Sequence, residues 1–168
     1  WDDWFRAIRT DDVNRCRALL ARGFDVNTLD AERFDTGLII AVRERSAKVF
    51  RLLLETPGID VDARSRNGDT ALMVAAFLPD AVAVQALLER GAEVNRPGWT
   101  PLHYAASSGS ILVIRVLIDH HAYIDAESPN KTTPLMMAAR AGRREAVQYL
   151  LDEGADVSLK NDRGLKDR

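Results

Sequence analysis

The histidines are the side chains of this sequence best suited to acid–base or metal chemistry near neutral pH. His120 and His121 are adjacent, so on a helix their side chains would point about 100° apart. No third ligand stands nearby in the sequence, so the pair does not predict a metal site. His103 is the remaining candidate for a general base.

Paired carboxylates are the other residues whose spacing could serve acid–base catalysis. They occur at Asp2-Asp3, at Asp11-Asp12, and at Asp60 with Asp62. All three sets stand where helix caps and turns are expected, and solvated caps and turns explain them. The sequence has neither a glycine-rich phosphate loop nor a Gly-x-Ser-x-Gly elbow. It therefore predicts a protein that is not an enzyme and needs no cofactor.

The single cysteine and the balance of charges exclude further classes. Cys16 has no partner for an internal disulfide, and its position in an apolar pattern favours a buried core residue. The 168 residues carry 23 Lys and Arg against 25 Asp and Glu, a net charge of -2 that disfavours general binding to nucleic acid. No apolar run approaches the roughly 20 residues that span a bilayer.

These features predict a soluble protein and leave its compartment open. The chain begins at Trp1, and we expect that a segment preceded it. Cytoplasmic and exported or periplasmic locations both agree with the sequence, the second if that segment was a signal peptide.

The elements that position all of these residues are helices that start at a recurring threonine. In Thr100-Pro101-Leu102-His103, the threonine hydroxyl can cap a helix, and the proline has no amide to leave unpaired at the first helical position. The pattern returns at Thr36, Thr70 and Thr133. The interval is 34 residues from Thr36 to Thr70, 30 from Thr70 to Thr100, and 33 from Thr100 to Thr133. Intervals of this size indicate a stacked array of repeats.

A fifth copy of the pattern lies upstream, with Asp2 at the threonine position and Trp4 at the leucine position. Each copy has an apolar residue 14 positions after its origin, followed three and four residues later by an apolar pair. The pairs are Leu19-Leu20, Leu53-Leu54, Leu87-Leu88, Leu117-Ile118 and Leu150-Leu151. Five units of about 33 residues fill the chain.

The Thr-Pro-Leu-His stretch and Gly-Ala-Glu-Val-Asn (residues 91–95) make this pattern resemble the ankyrin repeat. The resemblance implies an all-α solenoid of about five helix-turn-helix repeats joined by β-hairpin fingers. It implies one domain over 1–168, and small bacterial ankyrin proteins are similar in preferring arginine to lysine. The repeats would span about 1–29, 30–63, 64–95, 96–126 and 127–158, with 159–168 starting a further finger or a C-terminal tail.

Several positions depart from the family pattern or gain a role from it. The resemblance implies that His103 ties its helix to neighbouring backbone, and that His121 replaces a closing glycine in the left-handed conformation. Pro79 should end the first helix of repeat three and leave Asp80 to cap the second. The third finger, residues 95–100, lacks three residues and should open a notch.

The aromatic residues near the N-terminus, Trp1, Trp4 and Phe5, either close the open end of the stack or form a partner-binding patch. Trp99 also has two interpretations. It either fills the notch or lies close to Phe77 and Leu78 as part of a binding site.

The function that the resemblance implies is to hold a protein partner along the concave face, formed by the fingers and the ends of the first helices. An exposed apolar centre flanked by arginines there would be typical of a binding hot spot. We expect a monomer; a self-assembling scaffold and a regulatory part of a larger protein stay open as alternatives. The predicted partner-binding residues are Arg43, Arg64, Arg66, Asn67, Asp69, Phe77, Leu78, Trp99, Tyr104, Glu127, Asn130 and Arg140.

Overall fold

The computed structural model describes residues 1–163, which form ten helices in five consecutive pairs and confirm the predicted all-helical repeat architecture. The predicted fifth finger, residues 160–165, extends outside the described residues. The first helices of the pairs are α1 (Asp2–Arg9), α3 (Gly37–Arg43), α5 (Ala71–Phe77), α7 (Pro101–Ser108) and α9 (Pro134–Arg140). The second helices are α2 (Val13–Ala21), α4 (Ala47–Glu55), α6 (Ala81–Glu89), α8 (Ile111–Asp119) and α10 (Arg144–Asp152).

Side-chain caps fix where the helices begin. The hydroxyls of Thr36, Thr70 and Thr133 accept hydrogen bonds from amides three residues ahead, at 3.4, 3.3 and 3.3 Å. Each cap satisfies one of the amides that a helix start leaves unpaired. Asp80 caps α6 in the same way, at 3.1 Å from the Ala83 amide, so the end of α5 before Pro79 and the new start after it are both as predicted.

The first helices pack side by side in one row and the second helices in another, and the core lies between the rows. Alanines at the ends of the repeated motif, such as Ala75, Ala105 and Ala138, have no exposed surface. Their small side chains let adjacent first helices approach closely, so one apolar core runs the length of the stack.

The N-terminal end of the stack is closed by aromatic side chains. Trp4 is fully buried and lies 4.9 Å from Phe24 between ring centroids, and Phe5 is only 3% exposed. Trp1 packs edge-on against Phe5 but is 54% exposed. Trp4 and Phe5 therefore belong to the core, and Trp1 covers them from outside.

A row of short polar side chains joins each repeat to the next. Asn27, Asp62, Asn95 and Asp125 each accept a hydrogen bond from a backbone amide about 30 residues ahead, at 2.8–2.9 Å. These bonds satisfy backbone groups in the turns after the second helices. Repeat spacing is therefore fixed by backbone contacts as well as by the apolar core.

The fingers are tight hairpin loops with very short arms. Residues 1–163 contain one isolated antiparallel bridge, Leu29 with Thr36, and no regular strand. The second finger is closed by a hydrogen bond from the Ser65 amide to the Asp69 carbonyl, at 2.9 Å. The arms of a finger therefore pair at one point and not along a ladder.

Candidate partner-binding face

The twelve predicted partner-binding residues all lie on the fingers or on the first helices and their ends, but they do not form one cluster. Three of them make what we call the central patch: Asp69, Phe77 and Tyr104. The Phe77 and Tyr104 rings meet edge to face, with centroids 6.2 Å apart and planes at 89°. The Tyr104 hydroxyl donates to Asp69 Oδ1 at 2.8 Å. The patch therefore links α5, α7 and the second finger.

Tyr104 is held as a neutral hydrogen-bond donor. Partial burial of the phenol, together with the Asp69 carboxylate, raises the pKa of Tyr104 well above its ordinary value. A fixed donor and an edge-to-face contact leave the Tyr104 ring little freedom. The ring is thus a rigid support for Phe77.

Phe77 is the last residue of α5, and its side chain is 52% exposed. The following residue, Leu78, is partly buried against the core, and its carbonyl accepts a hydrogen bond from Arg45 Nη2 at 2.8 Å. Leu78 thus packs on the core, whereas Phe77 is left exposed at the end of the first helix of its repeat. A large aromatic side chain that is exposed yet packed on one side is typical of a binding anchor.

A second aromatic contact lies at the tips of the first two fingers. The Arg66 guanidinium stands 4.3 Å from the centroid of the Phe34 ring, a cation–π geometry. Phe34 is 43% exposed and has a φ of 55°, a conformation that bulky residues rarely adopt. The corresponding positions of the second and third fingers hold Gly68 and Gly98, with φ of 84° and 89°. Phe34 is therefore a strained and exposed aromatic residue that the sequence reading missed, although aligning the fingers would have revealed it.

Arg43 is engaged in a structural contact. Its Nη2 lies 3.3 Å from Asp35 Oδ2, and the Asp35 side chain is buried. Burial raises the pKa of Asp35, while the Arg43 charge acts in the opposite direction. Asp35 Oδ1 and Arg43 Nε are buried without hydrogen-bond partners. Arg43 therefore has a structural role, which is to pair with the buried carboxylate of Asp35 at the base of the first finger.

Trp99 packs on His103 rather than on Phe77. The Trp99 and His103 rings meet edge to face at 5.3 Å, and Trp99 is partly buried. No ring contact joins Trp99 to Phe77 within residues 1–163. This geometry favours the interpretation in which Trp99 fills the notch.

His103 is fully buried, and both of its ring nitrogens are used. Nδ1 accepts from the Thr100 amide at 3.1 Å, which requires Nε2 to carry the proton and donate to the Thr132 carbonyl at 2.8 Å. Burial lowers the pKa of His103, so the ring stays neutral. His103 thus ties α7 to the fourth finger, the structural role that the resemblance implied.

The other predicted residues are dispersed. Arg64 and Asn67 are exposed on the second finger, Glu127 is exposed on the fourth, Asn130 is partly buried there, and Arg140 is exposed at the end of α9. Within residues 1–163, no hydrogen bond, ion pair or ring contact connects them to the central patch.

Arg96, in the third finger, is a further residue that the sequence reading missed. Its Nη1 lies 3.7 Å from the Met73 sulfur, and its Nε is buried without a hydrogen-bond partner. Burial lowers the pKa of Arg96, and the nearby Arg64 charge adds to this effect. The other repeats carry uncharged residues at this position, so an alignment of the repeats would have singled out Arg96 as unusual. Those residues are Thr28, Ala63, Ala126 and Leu159.

We next consider metal-binding groups and the reactivity of the single cysteine in the described part of the chain. Residues 1–163 hold no group of three His, Cys, Asp or Glu side chains placed to bind a metal ion. Cys16 is fully buried, and burial raises the pKa of its thiol to about 11. No helix among these residues has both the length and the apolar character needed to cross a membrane.

Comparison with known proteins finds similarity to human and mouse proteins. It is 32% identical over 162 residues to human "Transient receptor potential cation channel subfamily A member 1", covering 90% of this chain and 14% of that protein. It is 33% identical over 157 residues to human "SH3 and multiple ankyrin repeat domains protein 2", covering 90% of this chain and 8% of that protein. With the mouse "B-cell lymphoma 3 protein homolog" the identity is 30% over 162 residues, covering 92% of this chain and 36% of that protein.

The chain therefore spans a minor part of the length of each of these relatives. The similarity to small bacterial ankyrin proteins in particular stays a prediction. The family model described as "Ankyrin repeats (3 copies)" matches residues 4–97 and again residues 80–161. These two matches together span nearly all of the chain. The chain belongs to the ankyrin-repeat family.

Proposed function

We propose that this chain is a non-catalytic module that holds a protein partner against its concave face, with the central patch at the centre of the contact. Stacked repeats create extended surfaces of this kind, and the ankyrin family uses them for protein interaction. The net charge of -2 supports a protein rather than nucleic acid as the partner.

The observation that carries the proposal is the state of Phe77. Its ring is half exposed, yet it is held by Tyr104, which is itself fixed by Asp69. Binding a partner through such a side chain costs little conformational entropy, because its rotamer is already selected. Aromatic anchors in this arrangement dominate the binding energy of many interfaces.

The finger tips support the same face. Phe34 keeps an unfavourable positive φ and an exposed ring beneath Arg66, although a glycine would fit that turn without strain. Neither residue is needed to fill the core. We assign Arg66 and Phe34 to the rim of the same partner contact.

Quantitative affinity capture with matched variants tests the proposal. Phe77→Ala removes the anchor, whereas Leu112→Ala removes a comparably exposed apolar side chain, 49% against 52%, from the second-helix row. We expect the variant Phe77→Ala to lose a protein that both the wild type and Leu112→Ala retain. Equal retention of the same proteins by all three would contradict the proposal.

A second candidate is that this stack serves as one regulatory part of a longer protein. The small share of each relative that the chain covers favours this candidate. It uses the same face, so the capture experiment applies to both. We propose a monomer, and light scattering over a range of concentrations separates that state from a self-assembling scaffold.

A further inference from the structure

A groove lies between α4 and α6, the two neighbouring second helices that pack least closely along the stack. Its volume is about 380 Å³, and its apolar lining includes Phe50 and Leu54 from α4 with Val82, Ala83 and Ala86 from α6. Val82, at the edge of the groove, is 75% exposed. The second-helix row therefore carries an open apolar groove that shares no residue with the central patch.

Small side chains on α6 keep this groove open. Ala86 occupies the position at which repeats two, four and five have Leu52, Val116 and Tyr149. In repeat two, Leu52 reaches the space between α2 and α4. An alanine is too short to fill the corresponding space between α4 and α6, so an apolar side chain from another molecule can enter it.

The charged groups that line the groove are mainly cations. Arg45 and Arg51 are exposed there, whereas the one carboxylate of the lining, Asp80, is engaged in capping α6. Arg45 uses one donor on the Leu78 carbonyl, at 2.8 Å, and has further donors available. The Arg51 side chain has no ion pair or hydrogen bond within residues 1–163.

The positive charge continues on the other side of α4. There Arg51, Lys48 and Arg17 line a second groove, between α2 and α4, with Glu55 as the one carboxylate of its lining. All four of these side chains are exposed. The two grooves together thus have an excess of positive charge, although the whole chain has a net charge of -2. Charge complementarity therefore favours an acidic occupant for this part of the second-helix row.

We propose that the groove between α4 and α6 binds an acidic amphipathic segment of a protein partner. One leucine-sized side chain of the segment enters the groove, and neighbouring Asp or Glu residues lie beside Arg45 and Arg51. The apolar lining requires an apolar side chain, and the arginines select acidic neighbours for it. A free phosphate has charge but no apolar part to fill the groove. This contact goes beyond the proposed function, because it uses the second-helix row instead of the concave face.

NMR titration with a capped peptide, in which glutamates stand on both sides of a central leucine, tests the assignment. We expect saturable shifts of the Val82, Ala83 and Ala86 amides. Arg51→Gln should weaken binding about two- to fivefold, the effect of losing an exposed ion pair. Arg115→Gln is the matched control and should bind like the wild type, because Arg115 is exposed at the same position of repeat four and lines neither groove.

Filling the groove gives an independent readout. Ala86→Leu installs the residue type that repeat two has at this position, so we expect the saturable shifts to disappear while the Tm equals or exceeds that of the wild type. Ala18→Leu adds the same side chain at the equivalent position of α2, outside both grooves, and should leave peptide binding unchanged. A lower Tm of Ala86→Leu would show that the groove has no room for a side chain and would contradict the inference.

Several results of the titration would overturn the inference. They are the absence of saturable shifts, equal binding of the glutamine version of the peptide, and unchanged binding in Ala86→Leu or Arg51→Gln. The same shifts with inorganic phosphate would show an ion contact, and the same shifts with anionic phospholipid vesicles would show a membrane contact, so either would also overturn it. If Phe77→Ala still loses the captured partner, the proposed function stands and only the assignment of this groove fails.

Discussion

His103 and Tyr104 are consecutive residues of α7, and they use their polar groups in opposite ways. His103 points into the stack, where it has no exposed surface and both ring nitrogens bond backbone. Tyr104 is partly exposed, its side chain donates one hydrogen bond through its hydroxyl, and its ring packs against Phe77. The contrast shows that one short helix carries both a contact that folding needs and a support for a side chain that folding does not need.

The largest effect that this contrast predicts is at His103. His103→Ala leaves the Thr100 amide and the Thr132 carbonyl without their partners and opens a cavity, so we expect a loss of about 2–4 kcal/mol of unfolding free energy. Tyr104→Phe removes only one hydroxyl at a partly exposed site and should lose about 1 kcal/mol or less. Urea unfolding of both variants measures the difference, and similar losses would remove the distinction between the two residues.

The pH dependence of stability sharpens the assignment of His103. Its pKa is lower in the folded state than the ordinary value of 6.5, so the unfolded chain binds the proton first. Its contribution is complete above pH 6.5 and falls as the pH drops below that value toward the folded pKa. We expect unfolding free energy to fall over this range in the wild type and less steeply in His103→Gln. Parallel curves would show that the histidine does not cause the effect.

Trp99 should behave as an intermediate case. Its ring is partly buried and packs on His103, so we expect Trp99→Ala to lose about 1–2 kcal/mol of unfolding free energy. Thermal unfolding measures this loss. A change close to zero would return Trp99 to the concave binding surface.

The smallest effect is expected at His121, in the turn that follows α8. It has a φ of 70°, as predicted from its alignment with Gly91 and Gly154, whose φ values are 80° and 98°. His121→Gly relieves this strain and keeps the backbone carbonyl that accepts from Asn95 Nδ2 at 2.7 Å. We therefore expect a change between zero and a gain of about 1 kcal/mol. A clear loss in urea unfolding would reveal a role of the imidazole.

Most of the fold could be predicted because the same sequence signals recur in each repeat. The threonine caps, the apolar pairs and the Pro79–Asp80 break are local signals with a direct physical reading. The resemblance predicted the hairpin connections but not how little their arms would pair, since the bridge between Leu29 and Thr36 is the only β pairing within residues 1–163.

The candidate site was only partly predictable. The exposure of Phe77 was expected from its register, but its partner Tyr104 is 27 residues away in the sequence, and only the folded stack brings the rings together. The contact of Arg96 with Met73 and that of Arg66 with Phe34 likewise form only in the folded stack. Contacts between repeats decide which exposed residues are fixed, and a single-repeat pattern does not contain them.

The unfolding free energy of Phe77→Ala tests the central claim most directly, because it needs no knowledge of the partner. If the Phe77 ring is kept for binding, its removal should change stability by less than about 1 kcal/mol, similar to Leu112→Ala on the second-helix row. A loss of about 3–5 kcal/mol, as for a buried aromatic residue, would contradict the account and leave the finger-tip arginines, Arg64 and Arg66, as the next candidates.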